Sequence, residues 1–272
     1  MEGDRIIASA APRVRRLGAV NRLGLWTLYL REVRRFWKVG MQTIAAPVVT
    51  TLLFLAIFLL VPGSRQRVVG STPFLEFLAP GLIMMAMVQN AFANTTSSLM
   101  IAKFQGNIVD LLMPPLSPAE LTWGLALGGV TRGLVVGVVV AGAMALLLPI
   151  HLVNPGLALF HAVAASLVMS LLGIIAAIWA DKFDHIAAVT NFIVTPLSFL
   201  SGSFYSIQQL PHAVQVAAHF DPFFYMIDGL RAGFTGHADG SLWLGAIVMI
   251  AINLALVAAC QVIFARGWKL KA

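Results

Sequence analysis

Charge is scarce in this chain. Asp, Glu, Lys and Arg make up 11% of its 272 residues, against roughly 25% in an ordinary soluble domain. The scarcity is uneven, because residues 39–64, 77–102, 133–180 and 240–265 contain none of the four. A helix needs about 20 apolar residues to cross the hydrocarbon of a bilayer. Each gap can hold one span, and the 48 residues of the third can hold two. Cysteine is almost missing as well: Cys260 stands alone, which excludes an internal disulfide. The first 41 residues are too long and too basic for a secretory leader, and no A-x-A-like site follows the first apolar run, so none is expected. These absences exclude a soluble enzyme, a secreted disulfide scaffold and a disordered tail.

What is present is apolar: 59% of residues are hydrophobic and the mean hydropathy is +0.88. The runs predict an all-α polytopic membrane protein with six transmembrane helices, near 42–62, 77–99, 120–148, 157–180, 186–205 and 242–265. Residues 149–156, with Pro149, Asn154, Pro155 and Gly156, form the turn that splits the longest gap. Membrane β-strands are excluded, because the runs are twice a tilted strand's length and do not alternate. The tail 1–20, an amphipathic helix 21–40, one transmembrane domain 41–268 and a tail 269–272 complete the expected layout.

Six spans place both termini on one side. Fourteen of the 18 basic residues fall there, with Arg65, Arg67 and Arg231 opposite and Arg132 inside a span. The positive-inside rule makes that side cytoplasmic. The net charge of +7 is therefore topological and needs no nucleic acid to explain it.

Several segments carry more. Residues 21–40 set Trp26, Tyr29, Leu30, Val33 and Trp37 at helical spacing with Arg22, Arg31, Arg34, Arg35 and Lys38 on other faces. This suits a helix lying among lipid headgroups, either as a plain anchor or as a gating helix. In the loop after the second span, Phe104, Ile108, Leu111 and Leu112 fall on one apolar face. It either fills a partner's groove or packs back on its own spans. Gly129, Gly133, Gly137 and Ala141 repeat at i, i+4, so the third span approaches a neighbour closely, within the chain or in a second copy. Arg132 beside them snorkels to the headgroups or finds a partner.

Polar stripes run along the second span (Asn90, Asn94, Ser97) and the fifth (Asn191, Thr195, Ser198). They glue helices together or line a path. Residues 207–231 are too apolar for a solvated loop and are broken by Pro211 and Pro222, which predicts a re-entrant helical hairpin. Asp221 before Pro222 is an N-cap with proline at the first helical position. Asp228 and Arg231, at i, i+3, are placed to pair. The hairpin is either an outer gate or packing filler. No phosphate-loop, H-E-x-x-H or G-x-S-x-G pattern occurs, and the six histidines lack metal-ligand spacing. The spans carry no acid at their centres, which weakens an ion-coupled carrier. No enzyme activity and no resident cofactor are expected.

Two long motifs then carry a resemblance. One runs Phe104-Gln105-x-Asn107-Ile108-x-Asp110-Leu111-Leu112-x-x-Pro115-Leu116-x-Pro118. The other runs from Pro196 through Ser201-Gly202-x-Phe204-Tyr205 and Leu210-Pro211 to Asp221-Pro222-x-x-Tyr225-x-x-Asp228-Gly229-Leu230-Arg231. With six spans, the chain resembles over residues 22–268 the membrane subunit of type-2 ABC transporters, nearest the YadH-like bacterial inner-membrane branch. The resemblance implies that 102–118 is a coupling helix resting on a separate ATPase subunit, with Lys103, Phe104, Gln105, Asn107, Ile108, Asp110, Leu111, Leu112, Pro115 and Ser117 at the interface. It further implies two permeases with two ATPases, ATP and Mg held by the ATPase, and re-entrant elements bearing Phe204, Tyr205, Asp221, Pro222, Tyr225, Asp228 and Arg231. The substrate class implied is a glycan, a lipid-linked molecule or an amphipathic drug. A homodimer is expected, since one six-span bundle has little room for such a cargo. A secondary carrier would call for intramembrane acids. An assembly scaffold would leave the coupling motif without a use.

Overall fold

The computed structural model describes residues 18, 20–61, 63, 66–70 and 72–269. Most of the tail 1–20, residues 270–272 of the C-terminal tail and Arg65 of the outer basic set lie outside the described residues. Helix α1 (Arg22–Lys38) leads into α2 (Gly40–Leu60). A two-residue antiparallel ladder, β1 (Val68–Val69) against β2 (Thr72–Pro73), turns the chain into α3 (Phe74–Phe104). The short α4 (Ile108–Leu112) connects to α5 (Pro118–Ala145), which is followed by α6 (Pro155–Trp179). The fifth span is built from α7 (Phe183–Val189), a π turn over Thr190–Val194 and α8 (Thr195–Leu200). Helices α9 (His212–His219) and α10 (Pro222–Thr235) form the hairpin, and α11 (Leu242–Arg266) closes the chain. Among the described residues, six helical segments are long and apolar enough to cross a membrane. The chain is an all-α polytopic membrane protein.

The helix ends follow local chemistry. Ser117 and Glu120 make a reciprocal capping box, with Pro118 in the first turn of α5. Asn154 caps α6, Asp221 caps α10 and Ser241 caps α11. Gly236 and Gly267 close α10 and α11 with φ of 74° and 64°, a left-handed conformation that glycine takes without a Cβ clash. Pro196 has no N–H for the carbonyl four residues back. The strain is relieved just upstream, where the Thr195 N–H reaches Thr190 O and opens the π turn.

Helices α3, α5 and α6 form the centre. The glycine stripe of α5 serves the chain's own neighbours. A Cβ on Gly133 would lie 2.8 Å from Ser166 Oγ of α6 and 3.1 Å from Met87 O of α3, and one on Gly137 would lie 2.5 Å from Met87 Sδ. The Thr95 hydroxyl donates to Ser170 O at 2.9 Å, and the Asn253 amide on α11 donates to Ala164 O at 3.1 Å. At the face carrying Asn21 and Lys269, the termini face, Lys103 Nζ donates to Ala177 O, Ile178 O and Ala180 O. An ammonium on the open carbonyls of α6 stabilises that helix end and complements its dipole.

Helix α1 does not lie clear of the bundle. The Asn21 N–H donates to Glu120 Oε1, and Tyr29 Oη meets Thr131 Oγ1 at 3.0 Å. Leu28, Glu32 and Phe36 are buried, whereas Trp26 and Trp37 from the expected apolar face stay exposed. Exposed tryptophans on a helix beside the spans suit an interfacial aromatic belt.

Candidate functional site

Three regions gather the residues singled out from the sequence. At the termini face is the elbow formed by the end of α3, α4 and the start of α5. Gly106, at φ 69°, reverses the chain, and Asn107 leads into α4. The apolar face expected to be open is divided. Ile108 and Leu111 are buried against Leu28, Leu99 and Leu121, and Leu112 packs on the same cluster. Only Phe104 of that stripe is exposed, and its ring stacks on Phe183 with centroids 4.7 Å apart. The open side of α4 instead carries Val109, Asp110 and Met113.

The other elbow residues divide in the same way. Gln105 and Asn107 are exposed and joined to each other at 3.3 Å. Lys103 is turned inward on α6, and Ser117 is occupied by its cap. Pro115 O accepts the Asn21 side-chain amide at 3.2 Å. Between α1 and the elbow lies a groove of about 410 Å³, reached by Leu23, Thr27, Arg31, Asp110 and Pro114.

The second region is a cavity of about 690 Å³ between α1, α2, α3, α5 and α8. Of the path residues, Asn90, Ser97 and Thr195 line it, joined by Gln42, Gln89, Arg35 and Arg132. Asn94 is buried behind the wall, where its backbone and side-chain oxygens accept Arg35 Nη2 at 2.6 and 3.0 Å. Ser198 is buried too and donates to Val194 O at 2.7 Å. Asn191 is exposed on the π turn and is not among the lining residues. Arg132 does not snorkel alone: its Nη2 donates to Asn90 Oδ1 at 3.0 Å, facing the cavity.

The hairpin forms the third region, on the opposite face. Its two arms differ. Helix α9 is largely exposed, while α10 is buried from Phe223 to Gly233. Tyr225 Oη donates to His219 O at 2.9 Å and ties the arms together. Asp221 accepts from the Phe223 N–H at 2.9 Å and from Ser201 Oγ at 2.6 Å. Phe204 stacks in an aromatic group with Phe54, Phe58 and Phe199. Tyr205 Oη donates to Leu200 O at 2.7 Å.

The expected Asp228–Arg231 pairing is replaced by two longer reaches. Asp228 accepts the N–H groups of Asp239 and Gly240 at 2.7 and 3.0 Å. Arg231 is fully buried: its guanidinium donates to Gly202 O and Phe77 O, lies 3.7 Å from the Phe77 ring centroid and approaches Asp239 at 3.9 Å. Each ion prefers the partner that neutralises a backbone turn or a buried charge over a neighbour on its own helix.

This geometry has named relatives. The family described as ABC-2 type transporter matches residues 24–235. The chain is 35% identical over 245 residues to the inner membrane transport permease YadH of Escherichia coli (strain K12), covering 90% of this chain and 96% of that protein. It is 26% identical over 245 residues to nodulation protein J of Rhizobium leguminosarum bv. trifolii, covering 87% of each. The chain belongs to the ABC-2 type transporter family. It is a membrane permease of an ABC transporter, a multi-pass inner membrane protein, and a transport subunit whose family implies an ATPase partner.

Two residues of this ABC-2 permease escape the motif reading. Glu32 is buried at 0% exposure, accepting from Arg31, Arg35 and Ser98. The signal for it was periodicity: it stands four residues from Leu28 and four from Phe36, on the buried stripe of α1. Asp239 accepts from Ser206 Oγ at 2.8 Å and the Ile207 N–H at 3.2 Å. Asp239 also meets His237 Nε2 at 3.2 Å, but Ser206 and Ile207 lie 33 and 32 residues away in sequence, which no local spacing reveals.

Proposed function

We propose that this permease exports a glycan, lipid-linked or amphipathic drug-like substrate by alternating access. It does so as a homodimer driven by two copies of a separate ATPase, which holds the ATP and Mg. Both termini are then cytoplasmic, and the ATPase docks on the termini face. The observation that carries this reading is the construction of the elbow. Phe104, Val109, Asp110 and Met113 face outward, while Ile108 and Leu111 are anchored in the same cluster as α1, α5 and α6. A load applied to the open side is therefore delivered to three helices at once. The cavity beside α2 and α8 is the candidate path, and its open sides suit closure by a second copy. The hairpin, with its exposed first arm and buried second arm, is the candidate gate on the opposite face.

The test is co-purification of the chain with its partner ATPase. Phe104→Ala combined with Met113→Ala should weaken the association by about thirtyfold, as loss of an interface anchor worth roughly 2 kcal/mol implies. Thermal stability of the isolated chain should hold. Unchanged association and ATPase stimulation would remove the elbow as the docking surface.

A further inference from the structure

The cavity holds a cation that no carboxylate among the described residues neutralises. Arg132 stands 14 residues past Pro118 in α5, roughly 21 Å along the helix at 1.5 Å per residue. Its one hydrogen-bond partner among the described residues is the neutral side chain of Asn90, at 3.0 Å. Its buried Nε has none. Helix α1 brings Arg35, whose guanidinium is taken up by Glu32 at 3.2 Å, Asn94 and Ser97. Glu32 is shared with Arg31. Helices α2, α3 and α8 contribute no ionisable side chain to the lining, and α5 contributes Arg132 alone. Among the described residues the lining therefore carries two arginines and no carboxylate, and Glu32 behind Arg35 is already committed.

A lone guanidinium deep in a span is costly and marks a ligand path by default. The rest of the wall says what kind of ligand. Gln89, Asn90 and Thr195 add neutral polar groups beside the charge, while Phe54, Leu82 and Phe199 make an apolar strip along it. The volume, about 690 Å³, lies within the usual range for small-molecule sites. We infer that this cavity takes the anionic headgroup of an amphiphile, a phosphoester or carboxylate on an apolar tail, with Arg132 as its charge partner and the tail along Phe54 and Phe199. The inference rests on the cavity being the transport path and names the class of cargo for it. A guanidinium fork matches such an oxyanion bidentately.

The test uses the full chain in phosphatidylcholine nanodiscs and equilibrium binding of radiolabelled dodecyl phosphate. Saturable binding is expected in the wild type, displaced by unlabelled dodecyl phosphate but not by dodecanol. Arg132→Gln should weaken it by about thirtyfold, the usual scale for losing a buried charge partner, and Arg132→Lys should retain part of it. The thermal midpoint of Arg132→Gln should equal or exceed the wild type, because an uncompensated charge has been removed. Should that variant not fold, Asn90→Asp places a carboxylate on Arg132 and should abolish binding.

Unchanged binding in Arg132→Gln or Asn90→Asp overturns the inference, as does equal displacement by dodecanol. Equal displacement by inorganic phosphate overturns the amphiphile and leaves a free-anion site. Association with the partner ATPase, measured on the same Arg132→Gln sample, separates this result from the transport reading. Lost dodecyl phosphate binding with intact association is the expected pattern in that variant, whereas a wild-type chain that binds dodecyl phosphate but never associates would defeat the transport reading alone.

Discussion

Helices α3 and α2 are both long apolar spans, yet their surroundings differ sharply. In α3, 83% of an 18-residue apolar stretch is buried within the chain, against 17% in α2 and in α11 and 11% in the fifth span. Hydropathy points the other way: α2 and α11 are the more hydrophobic, at 2.4 and 2.5 against 1.4 for α3. In a bilayer the lipid tails are as apolar as leucine, so hydrophobicity does not decide which helix sits in the middle. Close approach and interhelical hydrogen bonds do. Helix α3 has Asn90, Asn94, Thr95 and Ser98 along its length, and it meets the glycines of α5 and Gly173 of α6. Two other spans make the same point: α6 is 67% buried at a hydropathy of 2.3, and the fifth span only 11% buried at 1.3.

The strongest way to break this contrast is to widen the centre. Gly133→Leu must push α5 off both α3 and α6, since even a Cβ would sit 2.8 Å from Ser166 Oγ. Overpacking of this kind costs about 3 kcal/mol or more, and the monodisperse fraction on detergent gel filtration should collapse. Gly142→Leu on the same helix meets nothing within 4 Å and should elute as the wild type does. Equal behaviour of the two variants would mean that α5 is not held by close approach.

Next in size is the polar knot under the hairpin. Asp239→Ala removes the carboxylate facing Arg231 and the acceptor for Ser206 and Ile207. Breaking a buried charge arrangement from one side costs roughly 3 kcal/mol, to be read as a fall in thermal midpoint. Arg231→Lys should fall less, keeping the charge but losing the fork that reaches Gly202 and Phe77 together. Should Asp239→Ala leave the midpoint unchanged, the knot would be ornament to α10 rather than its anchor.

The peripheral helices invite the opposite experiment. Leu53 and Ile57 on α2 are exposed, and truncating either should shift the stability of the isolated chain by no more than about 0.5 kcal/mol. If α2 faces a second copy, Leu53→Ala with Ile57→Ala should lower self-association measured by light scattering, at unchanged thermal midpoint. A drop in the midpoint without loss of association would place α2 among the structural helices.

The spans, the cap of α10 and the elbow were legible because their physics is local. Charge-free length and Asp221-Pro222 each act on their own stretch of chain, and the spanning helices and the start of α10 fall beside them; the Ser117–Glu120 capping box and the π turn before Pro196 are just as local but were not read. Which face of a helix is buried was less legible. Ile108 and Leu111 read as an open stripe, but they are the anchor, because α1 folds over them and supplies Leu28. The partners of Arg231 were out of reach for the same reason: i, i+3 spacing proposed Asp228, but Gly202 and Asp239 arrive by tertiary folding of two loops. Arg132 was legible as an anomaly. Its cavity was not, because that cavity exists only where α1, α2, α3, α5 and α8 meet.

The smallest expected effect lies where the termini face is held from outside the bundle. Lys269 Nζ donates to Asp181 at 3.1 Å and to Trp179 O at 3.0 Å, tying the end of α11 to the exit of α6. The hydrogen bond from Lys269, aided by the nearby positive charge, holds the Asp181 carboxyl below the usual carboxylate range. A group with a depressed native pKa stabilises the fold above its unfolded value and loses that contribution as pH falls through the native one. Asp181 is solvent-exposed, however, so salt screens the pair and the gain is small. Asp181→Asn should therefore leave the thermal midpoint at neutral pH almost unmoved, and it should flatten only a shallow acid-side slope seen at low salt. Asp239→Ala should lower the midpoint at every pH and salt. A large, salt-independent loss in Asp181→Asn would mean that the exit of α6 is a structural joint like the centre, and the division between core and peripheral helices would need redrawing at this end.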